Sequence, residues 1–188
     1  MKNVKVVCVG DGAVGKTSLL LSYTRDVFMD EYEPTIFDNH SMLVMIDNIP
    51  INLMLWDTAG QEEYGKLRNL SYPDTDVFLV CFSIINKNSY NNIGTYWIPE
   101  IKTFCPETPI VICGTKIDLR EDKVLSQRIF MYETEGQYIK ILNDGYTYVE
   151  CSALSKRGVN EVFNMCIREY LRYKPENKSK RRRKCIII

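Results

Sequence analysis

One glycine-rich segment, Gly10 to Thr17, constrains the fold of this chain more than any other feature of its sequence. Its letters, GDGAVGKT, follow the spacing Gly-x-x-x-x-Gly-Lys-Thr. The β-branched run Val4–Val9 predicts a buried strand directly before it, and the apolar stretch Ser18–Thr24 predicts a helix directly after it. In that context the spacing lets successive backbone N–H groups face one chain of phosphates, and the helix N-terminus adds positive charge. The segment therefore predicts a site for a nucleoside triphosphate, but it does not identify the base.

Two side chains of this loop carry its predicted chemistry. Lys16 supplies a full positive charge toward the β- and γ-phosphates, and the Thr17 hydroxyl is suited to ligate Mg²⁺. ATPases and kinases use the same kind of loop, so the segment alone leaves those enzyme classes open. The residues predicted to contact the phosphates are Asp11, Gly12, Ala13, Val14, Gly15, Lys16, Thr17 and Ser18.

The base is indicated by a second loop, which follows another predicted buried strand, Ile110–Gly114. In Thr115-Lys116-Ile117-Asp118, the Asp118 carboxylate can only accept hydrogen bonds, which suits the two adjacent donors of guanine and not the edge of adenine. The aliphatic stem of Lys116 can lie on the purine ring. A surface Lys–Asp pair is the alternative, but open α/β sheets bind ligands at the carboxyl ends of their strands. The predicted strand Tyr146–Glu150 ends there too, in a third loop, Cys151–Leu154.

With these loops in view, the chain resembles the small GTPases of the Ras superfamily, and most closely the Rac-like branch of the Rho family. The resemblance extends from Val4 to Ile188. Phe37-Asp38-Asn39 and Leu70-Ser71-Tyr72-Pro73 are Rho-type elements, and Asp38 together with Trp56 favours the Rac-like branch. The matching segments, in order, are Gly10–Thr17, Tyr32-x-Pro34-Thr35, Trp56-Asp57-Thr58-Ala59-Gly60-Gln61-Glu62, Thr115–Asp118, Cys151–Leu154 and a C-terminal prenylation box.

The resemblance implies a role for each matching residue. Gln61 orients the attacking water, while Thr35 ligates Mg²⁺ and senses the γ-phosphate. Asp57 holds Mg²⁺ through a water, and the Gly60 N–H binds the γ-phosphate. The implied catalytic group is thus Lys16, Thr35, Gly60 and Gln61, and the metal group is Thr17, Thr35 and Asp57. Further implied nucleotide contacts come from Phe28 against guanine, Tyr32 over the phosphates, and Pro34, Leu119, Ser152, Ala153 and Leu154.

The sequence predicts an α/β phosphate-loop NTPase fold: a six-stranded, mostly parallel sheet with one antiparallel strand and helices on both faces. Asp47-Asn48 marks a turn between the runs Met42–Ile46 and Ile51–Trp56, which predicts a hairpin. We expect a GTP-binding domain over residues 1–174 and a flexible tail over 175–188. The seven cysteines are scattered, which indicates reduced thiols; those expected to fill the core are Cys8, Cys81, Cys113 and Cys166.

The tail carries a basic run directly before a prenylation box. Residues 178–184 hold six positive charges, and Cys185-Ile186-Ile187-Ile188 follows. A basic run alone is often a solvated tail or a nuclear-import signal, but one lipid gives only marginal membrane binding and needs a second signal. We therefore expect lipidated Cys185 and residues 178–184 to bind membrane together. The expected location is the cytoplasmic face of the plasma membrane or an internal membrane, with a soluble cytosolic pool.

The resemblance implies a GTP/GDP switch that depends on Mg²⁺. Loops of about residues 26–38 and 60–72 are held by the γ-phosphate and relax after hydrolysis. The implied partners are exchange factors, GTPase-activating proteins, a dissociation inhibitor and effectors that bind through residues about 26–45, and the implied process is control of the actin cytoskeleton and cell shape. Outside residues 178–184, 18 Lys and Arg face 24 Asp and Glu, so the core is negative and nucleic acid is not an expected partner.

The sequence departs from the Rho-type pattern at His40 and Ser18, and two other function classes remain as alternatives. His40 stands where Rho proteins usually carry tyrosine, which puts a characteristic short-peptide effector motif in doubt. Ser18 replaces a cysteine that gives several relatives redox sensitivity. A hydrolysis-deficient, constitutively GTP-bound module is one alternative, although Gly12, Ala59 and Gln61 are all present. A phosphate-loop enzyme such as a nucleotide kinase is the other, but no segment offers its second substrate site or lid.

Overall fold

A six-stranded sheet, in the order β2-β3-β1-β4-β5-β6, organises the chain. The computed structural model describes residues 1–28, 37–121 and 145–173. The β2–β3 pair is antiparallel and the other four pairs are parallel, so the predicted sheet is confirmed. The strands are β1 Lys2–Val9, β2 Phe37–Ile46, β3 Ile49–Thr58, β4 Val77–Ser83, β5 Ile110–Thr115 and β6 Thr147–Glu150.

Sequence pattern decides where each strand lies in this sheet. In β4 and β5 every residue is buried, as expected for inner parallel strands covered on both faces. In β2, exposed and half-buried residues largely alternate, which suits an edge strand. The β2–β3 hairpin turns at Asp47 and Asn48, whose φ angles of 48° and 62° are those of the turn that matches strand twist. The predicted hairpin is therefore confirmed.

Helices cover both faces of the sheet, as predicted. The helices are α1 Lys16–Arg25, α2 Gly65–Asn69, α3 Lys87–Asn92, α4 Ile98–Phe104 and α5 Val159–Tyr173. On one face α1 and α5 pack on the strands, and α5 contributes Val162, Phe163, Cys166 and Ile167 at helical spacing. On the other face Trp97 and Ile101 pack against β1, β4 and β5. Each helical layer thus buries one apolar stripe on the sheet.

The cysteines expected in the core are all there. Cys8, Cys81, Cys113 and Cys166 are fully buried, free thiols. Over the part of the chain that the structure describes, no helix has the length and apolar character needed to cross a bilayer. Several predictions fall outside the described residues, namely those on Tyr32, Pro34, Thr35, the basic run 178–184 and Cys185.

Candidate functional site

The loops singled out by the sequence meet at one edge of the sheet. They follow β1, β3, β5 and β6, whose parallel arrangement brings their carboxyl ends together. The Thr58 hydroxyl donates to the Cys8 carbonyl at 2.7 Å, which joins the ends of β3 and β1. The Ile117 N–H donates to the Cys151 carbonyl at 3.3 Å, which joins the loops after β5 and β6. The candidate site is therefore one rim built from four separate stretches of chain.

The loop after β1 folds tightly enough to require glycine. At Gly10, φ is +141°, and a Cβ added there would overlap the carbonyl oxygen of Cys81 on the neighbouring strand. Gly15 has φ of 97° at the residue before α1. No other residue adopts both conformations without strain. The loop thus reverses direction against β4 and delivers Lys16 and Thr17 as the first residues of α1.

Lys16 lies at the centre of this loop. Its ammonium donates to the carbonyl oxygens of Gly10 and Asp11, each at 2.8 Å. The residue is only 6% exposed. Burial lowers its pKa, and the charge of nearby Asp57 opposes that effect. Burial of a charged ammonium costs free energy unless oxygen atoms accept its hydrogen bonds, so an enclosed lysine is uncommon in a loop at the protein surface. It can neutralise an anion that enters the same loop.

Thr17 and Asp57 form a pair beside Lys16. The Thr17 hydroxyl donates to Asp57 Oδ2 at 2.5 Å, and Asp57 is 1% exposed. The register of β1 and β3 places Asp57 opposite Cys8, two residues before the loop begins. A hydroxyl and a carboxylate are hard oxygen donors of the kind Mg²⁺ prefers. The donor set therefore fits the predicted metal, and both groups could hold it directly or through water.

The segment after β3 rests on the backbone of the first loop. A Cβ at Gly60 would lie 2.6 Å from the Gly12 nitrogen and would overlap Gly10 and Asp11 as well. Only glycine allows this approach. Gln61, predicted to orient water, follows it at the start of a short 3₁₀ turn over Glu62–Tyr64. Gly60 and Gln61 therefore lie beside the loop that contains Lys16, as a shared phosphate site requires.

The loop after β5 is tied to the first loop by two side chains. The Thr115 hydroxyl donates to the Val14 carbonyl at 2.5 Å, and the Lys116 ammonium donates to the Ala13 carbonyl at 2.8 Å. Lys116 adopts a left-handed conformation, with φ of 64°, and the 3₁₀ turn Ile117–Arg120 that contains Asp118 and Leu119 follows. Burial lowers the pKa of Lys116 and the Asp118 charge opposes it. The proposed base-binding pair is thus anchored to the phosphate loop.

The loop after β6 is held by hydrogen bonds and an ion pair that involve side chains. Ser152 is fully buried, and its hydroxyl accepts from the Ser155 N–H at 3.0 Å. The Ala153 carbonyl accepts from the Ser22 hydroxyl on α1 at 3.1 Å. Lys156 binds the Asp26 carboxylate at 2.5 Å, which brings the segment that carries Phe28 to this loop. Leu154 and Phe28 remain 54% and 37% exposed, so their side chains are accessible to a ligand.

The structure brings together most of the predicted site residues; Tyr32, Pro34 and Thr35 lie outside the described residues. It also reveals residues that sequence reasoning missed. Thr115 links two of the loops, and Arg68, 2% exposed, donates to the Ala59 and Gln61 carbonyls at 2.8 and 3.3 Å. A charged residue flanked by the exposed leucines Leu67 and Leu70 gives no sequence signal of this role, because its partners lie 7–32 residues away.

A family model described as Ras family matches residues 5–172 of the chain. The match covers β1 through α5 and includes every loop of the rim. It ends just before the basic tail begins.

Proposed function

The chain belongs to the Ras family, whose members are small GTPases, and on that premise we propose that it is a guanine-nucleotide switch. Loaded with GTP it binds effectors; it hydrolyses GTP slowly to GDP and then releases them. The observation that carries this proposal is the contact between the segment at Gly60 and the loop that encloses Lys16. Because these two segments share one site, a change in the phosphates there alters both.

Phosphoryl transfer requires the protein to position the reactants and to stabilise charge, and it requires little covalent chemistry from the protein. Lys16 brings a positive charge to the phosphate loop, and the loop's N–H groups add partial charges. Gln61 orients the water that attacks the γ-phosphate. Arg68 supports it by holding the Gln61 carbonyl at 3.3 Å, so the main chain of Gln61 is fixed from behind.

The Thr17–Asp57 pair is the proposed Mg²⁺ site, with Thr35 as a further ligand. Bound Mg²⁺ would neutralise charge on the phosphates. The Thr17 hydroxyl donates to Asp57 Oδ2 at 2.5 Å, so the two oxygen donors lie side by side. Asp57 is held at the end of β3, so it can accept from a metal-bound water without moving the strand.

Replacing Thr17 by asparagine tests this metal site. We expect Thr17→Asn to weaken GTP binding in Mg²⁺ by roughly tenfold or more, since the hydroxyl proposed to ligate the metal is lost, and to leave a nucleotide-poor form that sequesters exchange factors. Nucleotide affinity is measured across a Mg²⁺ titration. Thr24→Asn is the matched control, because Thr24 lies on the same helix and its hydroxyl donates to the Leu20 carbonyl four residues back, at 2.8 Å. An unchanged Mg²⁺ dependence in Thr17→Asn contradicts the assignment.

The proposed nucleotide is tested by competition. A fluorescent GDP analogue bound in Mg²⁺ is displaced with unlabelled GTP, GDP or ATP. We expect GTP and GDP to displace it at far lower concentrations than ATP, because Asp118 accepts from the donors of guanine. Equal displacement by ATP and GTP would refute guanine recognition and favour another class of phosphate-loop enzyme.

The finer assignment is to the Rac-like branch of the Rho family, with control of the actin cytoskeleton and cell shape. It rests on the resemblance at Asp38 and Trp56. The Phe37 ring meets Trp56 edge-on at 5.2 Å, and the Lys5 ammonium lies 4.0 Å from the centre of the Trp56 ring. His40 Nε2 lies 3.4 Å from the Asp38 carboxylate. Effectors would bind over residues about 26–45, and His40 would alter which of them bind.

Three kinds of regulator follow from the proposed switch. An exchange factor would release tightly bound nucleotide, and a dissociation inhibitor would cover the lipid. A GTPase-activating protein would supply an arginine in trans, which raises hydrolysis by about 10³- to 10⁵-fold. Trp56, half-buried on β3 before Asp57, would bias the choice of exchange factor.

Membrane attachment is proposed through Cys185 and the basic residues 178–184. We expect Cys185→Ser to make the protein cytosolic, because charges without a lipid are screened over about 8 Å at physiological salt. Neutralising residues 178–184 with Cys185 intact should leave weak, redistributed binding, since one chain is marginal alone. Membrane fractionation of both variants decides this. A Cys185→Ser protein that still sediments with membranes contradicts lipid anchoring.

A further inference from the structure

The helical segment after β4 changes type midway, and the change places two donors on one face. Between α3 and α4, residues Ile93–Trp97 form a π turn, in which the Ile98 N–H donates to the Ile93 carbonyl five residues back. In an α-helix residues five apart point about 140° away from each other, whereas a π turn brings them to the same side. Asn92 and Trp97 are five residues apart. The π turn therefore aims both side chains in one direction.

Both side chains bind Asp11 of the phosphate loop. Trp97 Nε1 donates to Asp11 Oδ1 at 2.7 Å, and Asn92 Nδ2 donates to Asp11 Oδ2 at 2.8 Å. The main-chain carbonyl of Asp11 accepts from Lys16 at 2.8 Å. The Asp11 side chain is thus directed at the π turn and its backbone at the lysine. Any contact of Asp11 with phosphate would come from the main chain.

The face of the same tryptophan supports Arg68. The guanidinium carbon of Arg68 lies 4.7 Å from the centre of the Trp97 ring. Two of its nitrogens bind the Glu100 carboxylate at 3.0 and 3.2 Å, and a third holds the Ala59 carbonyl. Tyr72 also donates to Glu100. Arg68 is therefore fixed between Trp97 and Glu100 while it holds both sides of Gly60.

We propose that Trp97 is a positioning residue that couples the phosphate loop to the segment Ala59–Gln61. Its N–H anchors Asp11, and its ring supports the arginine that holds Ala59 and Gln61. The inference rests on the proposed function, because it assigns control of nucleotide release and of switch position at that same site. A displacement around Gly60 reaches Asp11 through Arg68 and Trp97 as well as through direct backbone contact.

A core tryptophan with a satisfied N–H is the simpler alternative. Trp97 is 1% exposed, and buried indoles usually find an acceptor. Two observations go beyond that. The acceptor is a carboxylate of the phosphate loop, and a second donor, Asn92 directly before the π turn, binds its other oxygen. If Trp97 were purely structural, its replacement would lower the free energy of unfolding alone. If it is a positioning residue, its replacement also changes the rate of nucleotide release.

The test compares nucleotide release with stability. Trp97→Phe keeps a ring beside Arg68 but removes the donor, and Asn92→Ala removes the other donor from a half-buried position. We expect each to speed release of a fluorescent GDP analogue about tenfold, the value of one hydrogen bond to a charge. The increase in release rate in the double variant should be smaller than the product of the two single increases, because both side chains act through Asp11.

Ile101→Val is the matched control. Ile101 is fully buried in the same apolar cluster, one turn further along the helical segment. Its side chain has no N–H or O–H group that could donate a hydrogen bond to Asp11. We expect this variant to lower the midpoint of denaturant unfolding while release stays within twofold of wild type. Release from Trp97→Phe and Asn92→Ala that matches the Ile101→Val rate would overturn the proposal.

A second readout observes the Trp97 indole N–H directly. The chain has two tryptophans, so a ¹⁵N spectrum has two indole signals, and Trp56→Phe assigns the one from Trp97. We expect the Trp97 signal to move in Asn92→Ala, and to differ between GDP and a GTP analogue in wild type. A protein that binds no guanine nucleotide would refute the proposed function while leaving the contact testable here. A Trp97 signal unchanged by Asn92→Ala and by nucleotide overturns the coupling itself.

Discussion

Gln61→Leu is expected to keep GTP binding and to lower activator-stimulated hydrolysis by about 10³-fold or more. Leucine has nearly the size of glutamine but cannot orient water. The backbone at this position should survive the change, because Arg68 holds the Gln61 carbonyl and not its side chain. Gly12→Val should act in the same direction, since a side chain at residue 12 crowds Gln61 and the incoming arginine.

The measurement is single-turnover hydrolysis over a series of activator concentrations. A loss of catalysis lowers the rate at saturating activator, whereas poor docking is overcome by more activator. Glu63→Leu is the control for binding of the activator, because it places a leucine at an exposed position two residues further on. If Gln61→Leu reaches the wild-type rate at saturation, the assigned role of Gln61 is wrong. If wild-type protein itself fails to hydrolyse GTP with an activator, the GTP-locked module is favoured.

Asp118→Asn is expected to reverse base preference from guanine to xanthine. Asparagine can donate where xanthine presents an acceptor, and it loses the charged acceptor that guanine needs. Loss of two charge-assisted hydrogen bonds corresponds to about 10²- to 10⁴-fold in affinity for GDP. The change should leave the loop intact, since Asp118 contributes its main-chain carbonyl to the 3₁₀ turn through the Glu121 N–H at 3.1 Å.

Affinities for GDP and for xanthosine diphosphate are measured side by side. Glu121→Gln is the matched control: it makes the same carboxylate-to-amide change three residues away, at an exposed ion pair with Arg157. That variant should retain guanine preference. An Asp118→Asn protein that still prefers GDP to the xanthine nucleotide would show that another residue recognises the base.

Local patterns predicted five of the six strands and the first helix with errors of one or two residues at most ends, but they missed the first half of β2, which begins at Phe37 and not at Met42. The strand predicted at Val4–Val9 begins at Lys2, and the helix predicted at Ser18–Thr24 spans Lys16–Arg25. Apolar periodicity marks the buried middle of an element, whereas its ends are set by hydrogen bonds that extend beyond the apolar residues. The turn at Asp47-Asn48 was predictable because few residue pairs accept two left-handed conformations.

The sequence could also place the loops of the candidate site, but not the contacts that join them. Glycine and lysine spacing locates the phosphate loop within one local segment. The bonds from Trp97 to Asp11 and from Arg68 to Glu100 join residues 86 and 32 positions apart. No periodicity reports such pairs, since they arise only when the sheet has brought the helices over its edge. The π turn is likewise invisible in the residues Ile93–Trp97, because no spacing of residue types distinguishes it from an ordinary helix.

The rim is assembled from distant parts of the chain, and this ties the nucleotide to folding itself. Lys116 and Ala13 are 103 residues apart and join two of the loops, while Ser22 and Ala153 are 131 apart and join α1 to a third loop. A ligand that contacts all four loops binds the folded chain and not the unfolded one, so it stabilises the fold by RT ln(1 + [L]/Kd). If the ligand is the proposed guanine nucleotide, we expect the folded fraction to rise with its concentration, and a variant that binds it poorly to be less stable at the same concentration.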